Sequence, residues 1–321
     1  MLKGPLGVGT LYLNGGAIRA VDPTSGVRKV ANPVQGGIFS VGTADLTFTG
    51  PIYGPSGGTG SITFSQSPVL GTSTIRVEGA MSGNGWLVSG GTVHFQSDQS
   101  STLAGAGSVR ADAASGDALL VVSSNGALGS IGANNYTLIQ ASGGPEVRNA
   151  TLRFANGVNY TSAEEIQLVS PEGSAIIEGT GTLENAFHGS VLIPPIQNGT
   201  VPGYGEINVS AGGTLTLAGT IRLSTGTVGC YLGTYGTGTV KFDDAVFAGE
   251  SGSDTIEMGV GSKIVFDTSS GVSRQFPGYV GTGTSGTLSG SVTKAGSGTF
   301  TAKHYRVNGL SVDGGTLKVA Q

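Results

Sequence analysis

Gly212-Gly213-Thr214-Leu215-Thr216-Leu217 (GGTLTL, residues 212–217) is the stretch that decides the fold class. Thr and Leu alternate with a period of two, which in an extended chain sends the leucines to one face and the threonines to the other. The two glycines ahead of them mark a turn, where the backbone needs positive φ or a close approach. The pattern therefore predicts a half-buried strand with Leu215 and Leu217 inward and Thr214 and Thr216 outward.

The same grammar recurs along the chain. Thr10-Leu11-Tyr12-Leu13, Leu46-Thr47-Phe48, Ser61-Ile62-Thr63-Phe64, Val240-Lys241-Phe242 and Thr316-Leu317-Lys318-Val319 are short alternating runs separated by glycine. Helical periodicity is nearly absent, and its best candidate is Ser162 to Leu168 (SAEEIQL). Short strands and turns also describe a sandwich or a barrel. Gly-Thr openings at Gly9, Gly42, Gly58, Gly71, Gly91, Gly213, Gly219, Gly238, Gly298 and Gly315 add an internal repeat, with similar steps from Gly71 to Gly91 and from Gly298 to Gly315. Other intervals break that rhythm. Repetition favours an all-β parallel β-helix, a solenoid whose coils take on the order of 20 residues. The expected organisation is one solenoid over residues 1–321. The stretch His188 to Glu206, with three prolines that cannot donate to a ladder, is expected to be a loop or coil interruption.

Composition narrows the function classes. The chain has 321 residues, 59 of them Gly, only 11% charged, and a formal charge of −4. Its mean hydropathy of +0.12 excludes a disordered polyelectrolyte. Basic residues are few and scattered, so no electrostatic footprint for nucleic acid exists. One cysteine, Cys230, cannot form an intrachain disulfide, and it reads as an inert buried residue. No apolar h-region follows Met1 to Pro5, and no run of about 20 apolar residues offers a membrane span. An exported chain would then be a fragment or mature segment of a longer polypeptide.

Val292 to Val319 (VTKAGSGTFTAKHYRVNGLSVDGGTLKV) resembles the autotransporter-associated β-strand repeat. Thr293-Lys294 and Gly296 to Thr299 match its T-K-x-G-x-G-T opening, and Gly314 to Val319 match its G-G-T-L-x-V close. Lys303 to Arg306 depart from its small-polar middle. Leu6 to Ala20 (LGVGTLYLNGGAIRA) looks like the segment that follows such repeats. The resemblance covers about an eighth of the chain. It implies a right-handed parallel β-helix exported across a bacterial envelope, as in autotransporter passengers, with repeats that are structural.

Candidate chemistry is sparse. The three histidines, His94, His188 and His304, lie far apart, and no G-x-S-x-G elbow accompanies them. Asp243-Asp244 and Glu164-Glu165 are adjacent carboxylates, which on a strand point to opposite faces. Gly249 to Glu257 (GESGSDTIE) approaches the calcium nonapeptide, but no second copy follows to share an ion through Asp254. Tyr12, Phe48, Tyr53, Phe64, Trp86 and Phe95 alternate with small polar residues, as core residues do. The N-x-[ST] triplets at Asn135, Asn149, Asn159, Asn198 and Asn208 are expected to carry no glycan.

No residue is therefore assigned a catalytic, cofactor-binding or metal-ligating role. The expectation is a non-enzymatic extracellular scaffold or adhesin stalk of a bacterial surface protein, without cofactor. A self-assembling filament or layer subunit is the first alternative, and a polysaccharide lyase or glycosidase built on a β-helix the second. Side-by-side carboxylates and an Arg on successive coils would favour the enzyme. Expected partners are a cell-surface or glycan ligand, or further copies meeting at exposed solenoid ends.

Overall fold

A computed structural model describes residues 11–12, 17–20, 28–30, 34–36, 38–41, 45–55, 60–66, 73–111, 116–130, 135–141, 147–171, 173–196, 200–223, 228–249, 252–282 and 289–320. It is all-β, built of parallel sheets stacked as a β-solenoid. The chain divides into two compact units, Met1–Leu152 and Arg153–Gln321. Among the described residues no helix is long and apolar enough to cross a membrane. Most of Leu6 to Ala20 and the Gly-Thr openings at Gly42, Gly58 and Gly71 lie outside the described residues.

In the first unit three sheets run side by side. Val34–Gln35, Ile52–Tyr53 and Met81–Ser82 belong to one; Ile62–Gln66, Trp86–Ser89 and Gly107–Arg110 to the next; Leu46–Phe48, Thr74–Val77, Gly91–Phe95 and Ala118–Val122 to the third. In the second unit one sheet carries Glu184–Phe187, Thr214–Leu217, Thr239–Asp243, Lys263–Asp267, Ser291–Ala295 and Gly309–Val312. Its neighbour carries Ala175–Gly179, Tyr204–Val209, Tyr231–Gly236, Thr255–Met258, Ser273–Gly281, Thr299–Arg306 and Thr316–Val319. Glu165–Val169, Ser190–Ile193, Thr220–Leu223 and Val246–Gly249 form the third. Each strand pairs in parallel with its equivalent one coil away, so the two edges of a strand are satisfied by its own chain.

The deciding stretch lies where its alternation puts it. Gly212 turns with φ 78°, and Thr214–Leu217 pairs with Glu184–Phe187 on one side and Thr239–Phe242 on the other. Leu215 and Leu217 are both 0% exposed. Leu217 stands between Phe187 and Phe242 in a column that continues through Phe266 to Lys294. Thr214 is half-buried, but Thr216 is only 4% exposed, where an open position was expected. It lies between Ala186 and Lys241, and its hydroxyl donates to Glu184 Oε1 at 2.5 Å. The long side chains of adjoining strands cover an outward residue that alternation alone leaves in water.

The cores hold stacked rings. Phe39, Phe48, Phe64, Phe95 and Trp86 form a chain of contacts with centroids 5.1 to 5.7 Å apart in the first unit. Phe242, Phe247, Phe266, Phe276 and Phe300 form another in the second, with centroids 3.8 to 5.6 Å apart. Phe48, Phe64, Trp86 and Phe95 are core residues as expected, whereas Tyr53 is exposed and the side chain of Tyr12 lies outside the described residues. Trp86 donates its indole N–H to the Leu128 carbonyl at 3.0 Å, which satisfies its polar atom in the interior. Its partner across the ladder is Gly107. A Cβ at that position would sit 2.1 Å from the indole ring, so the ring occupies the space that a side chain on the next strand would take.

Coil length is not constant. Thr299 pairs with Thr316 across a short coil, Thr214 with Thr239 across a longer one, and Glu184 with Thr214 across one longer still. The strand registers repeat while the connections between them vary, which is why the sequence shows Gly-Thr openings without a fixed period. Ser162 to Leu168, which reads in sequence as a turn or two of helix or equally as a loop, leads into a strand: Glu165–Val169 has Ile166 and Leu168 buried. The Pro-rich interruption is shorter than 188–206, because Ser190–Ile193 and Tyr204–Val209 are strands, and Ile196 and Val201 close the excursion between them with an antiparallel bridge.

Candidate functional site

The histidines are separate, as the sequence indicated. His188 is exposed beside Asn159 Oδ1 at 3.1 Å, and His304 is exposed beside the Tyr279 ring. His94 is half-buried in the first unit, on the outer side of Gly91–Phe95 between Arg76 and Val121. Its Nε2 meets Ser123 Oγ, a Ser-His contact that the wide separation of the two in sequence did not announce. Gln96 Nε2 faces its Nδ1 at 3.3 Å, so both ring nitrogens have a polar neighbour. Burial and the Arg76 charge hold His94 below its ordinary pKa, while Arg76 is itself engaged by Asp45 Oδ2 at 2.5 Å.

Carboxylates and a base do meet on successive coils, in the second unit. Asp243 and Asp267 are register partners on the outer side of Thr239–Asp243 and Lys263–Asp267. Lys241 Nζ lies 3.0 Å from Asp267 and 3.9 Å from Asp243. Burial by itself would lower the lysine. The Asp267 hydrogen bond and the charges of Asp243, Asp267 and Glu184 outweigh it and raise the lysine, so it is an ammonium that binds its carboxylates and a poor proton acceptor at neutral pH. Asp244, the neighbour in sequence, turns away with φ 46° and accepts Ser269 N at 2.9 Å and Ser269 Oγ at 2.5 Å. These bonds hold its carboxyl below the usual range. Glu164 is buried against the Tyr160 hydroxyl at 3.1 Å, and Glu165 faces outward beside Gln167.

Asp254, the ligand of the imperfect calcium repeat, is fully buried and accepts the Cys230 N–H at 2.9 Å. Cys230 in turn is a buried thiol whose Sγ accepts Gly203 N–H at 3.3 Å. Both belong to the backbone packing of adjacent coils. Glu250 and Ser251 of that repeat lie outside the described residues.

Lys294 of the T-K-x-G-x-G-T opening occupies an inward column between Phe266 and Val312 and is fully buried. Its Nζ donates to the Ala295 carbonyl and, at 3.0 Å, to the Gly296 carbonyl. Its methylene stem continues the aromatic column while its head satisfies the turn. Burial pulls this lysine below its ordinary pKa, against the pull of Asp267 and Asp244.

One cluster was not anticipated. The outer side of Tyr204–Val209, Tyr231–Gly236, Thr255–Met258 and Ser273–Gly281 gathers Tyr204, Tyr231, Tyr235 and Tyr279 with Glu206 and Glu257. The hydroxyls of Tyr204 and Tyr235 meet at 2.6 Å. Burial, the Tyr235 bond and the nearby carboxylates push the Tyr204 phenol far up, and burial raises Tyr235 as well, so both stay protonated and available as donors. These four tyrosines come from three strands, Tyr231 and Tyr235 sharing one, and only the coil register brings the strands together. In the first unit, a shallow groove of about 270 Å³ lies on the outer side of Trp86–Ser89, Gly107–Arg110 and Tyr136–Gln140 and carries Arg110 at its edge. Among the described residues, no three His, Cys, Asp or Glu side chains converge as metal ligands.

Comparison with protein-family models, with curated proteins and with solved structures finds no match to this chain.

Proposed function

We propose that this chain is a non-enzymatic scaffold or adhesive stalk of an extracellular bacterial surface protein, of the kind that autotransporter passengers exemplify. The observation that carries the reading is the continuity of the ladders within each unit. Column after column, as in Leu215, Val240, Ile264 and Val292, inward positions are apolar and in register. Outer positions pair small polar residues, such as Thr214 with Thr239 and Ser311 Oγ with Thr293 Oγ1 at 2.9 Å. The chain spends its residues on an extended repeating surface. The T-K-x-G-x-G-T resemblance supports the same assignment, because Lys294 and the following turn have a packing role.

Turnover is the decisive test. A panel of neutral and anionic polysaccharides incubated with the protein should release no new reducing ends or unsaturated products. Release that Lys241→Met or His94→Ala abolishes would replace the scaffold with the enzyme.

A further inference from the structure

We infer that the tyrosine-rich outer face of the second unit is a binding strip for a neutral, β-linked hexopyranose glycan. The register defines the strip. Tyr204 lies beside Tyr231, Tyr231 beside Thr255, Thr255 beside Tyr279, and Tyr279 beside His304, so one outward column reads Tyr, Tyr, Thr, Tyr, His over five successive strands. The next column on the same side reads Glu206, Gly233, Glu257.

The glycines give the strip its shape. A Cβ on Gly233 would lie 2.5 Å from the Tyr235 ring and 2.7 Å from the Tyr204 hydroxyl. A Cβ on Gly259 would lie 2.5 Å from the same Tyr235 ring. Tyr235 therefore lies over Gly233 of its own strand and against Gly259, just past Thr255–Met258, neither of which has a side chain at the contact, and its hydroxyl meets that of Tyr204. Two phenols locked to each other over a glycine floor form a surface that is set before any ligand arrives, which lowers the ordering cost of binding. Tyr231, 37% exposed, is the open end of this surface.

The chemistry selects the ligand. Aromatic faces carry negative charge density and attract the weakly positive C–H faces of pyranose rings, and the carboxylates accept hydroxyl hydrogen bonds. Glu206 already accepts Ser174 Oγ at 2.6 Å through Oε1, which fixes its orientation on the strip. The same carboxylates repel uronate and sulfate polymers. Strands of successive coils lie about 4.8 Å apart, so Tyr231 and Tyr279, two coils apart, are separated by about 10 Å. That is close to the disaccharide repeat of an extended β-linked chain, whose alternate rings present the same face. Lys303, with Nζ 4.9 Å from the Tyr279 ring and bonded to the Gly252 carbonyl, marks the far end.

The inference rests on the adhesive reading, for which it supplies a ligand class, and it has its own test. Calorimetric titration with a β-1,4-linked glucose hexamer, in parallel with polygalacturonate, should show saturable binding of the hexamer alone. Tyr231→Ala and Tyr279→Ala should each weaken it about two- to tenfold, as expected for the loss of one stacking ring. Tyr231→Phe should retain it, and circular dichroism should be unchanged in all three. Absence of hexamer binding, binding that ignores both alanine substitutions, or preference for polygalacturonate would overturn the strip. Reducing ends measured in the same mixtures keep the two conclusions apart. Hexamer bound and left intact supports both; hexamer bound and cleaved keeps the strip and overturns the scaffold.

Discussion

Gly107→Ala puts the packing logic of the first unit to a direct test. The added Cβ would lie 2.1 and 2.2 Å from Cε2 and Cζ2 of Trp86, against a normal carbon contact of about 3.5 to 4 Å, so ring and strand must separate by about 1.5 Å. The backbone cannot supply that space cheaply. Trp86–Ser89 and Gly107–Arg110 are joined along four register pairs, and widening them breaks ladder bonds. The ring must tilt instead, away from the Leu128 carbonyl and from Phe95, its edge-on neighbour at 5.3 Å. Overpacking of this kind costs about 1 to 3 kcal/mol. Losing the indole hydrogen bond adds about 1 kcal/mol. The expected total is about 2 to 4 kcal/mol. Trp86 is the one tryptophan in the chain, so its fluorescence reports this unit alone in a urea titration. The substitution should lower the unfolding midpoint and shift the native emission to the red. In a Trp86→Leu background, followed by circular dichroism, the same substitution should cost under about 1 kcal/mol, because the ring that it strikes is gone. An unchanged midpoint and emission in the single variant would refute the claim that the indole fills the space above Gly107.

The second unit yields three further tests. Leu215→Ala should cost about 2 to 5 kcal/mol in chemical denaturation, whereas Thr216→Ala should cost about 1 kcal/mol, through the hydroxyl bond to Glu184, and not the negligible amount of an open surface site. Asp244 has a native pKa below its unfolded value, so the stability it contributes is present above the ordinary carboxylate range and is lost as pH falls through the depressed native value. Asp244→Asn, which tolerates the same positive φ, should therefore flatten the acid limb of the unfolding midpoint as pH falls below the ordinary carboxylate range. Cys230, fully buried, should resist maleimide in the native protein and react in step with unfolding of Arg153–Gln321; fast native labelling would contradict its burial.

The sequence carried the strand grammar well because a parallel coil repeats it without disguise. Gly213-Thr214 and Gly238-Thr239, like Gly298-Thr299 and Gly315-Thr316, open strands that are true register partners, and the alternation of Thr214 to Leu217 names the inward residues correctly. It failed where a residue's surroundings come from other coils. Thr216 is outward yet covered, because Glu184 is distant in sequence and only one strand away in space. SAEEIQL looks locally like a helical turn, but Ile166 and Leu168 need a solenoid interior, and pairing with Ser190–Ile193 sets the local conformation. The tyrosine strip and the His94–Ser123 contact were hidden for the same reason. With connections that differ so widely in length from coil to coil, no fixed offset brings their members into alignment.

That unevenness has a consequence of its own. The short step from Thr299 to Thr316 and the long step from Glu184 to Thr214 both advance the chain by a single strand spacing, so contour length and axial rise are uncoupled. Material added to a connector extends sideways and leaves every station along the axis where it was. Between Ser190–Ile193 and Tyr204–Val209, the antiparallel bridge of Ile196 with Val201 marks where such a branch can start. A foreign peptide spliced into that branch should be displayed laterally, with the spacing of the tyrosines downstream untouched. The molecule can be decorated at one address without being re-measured at any other.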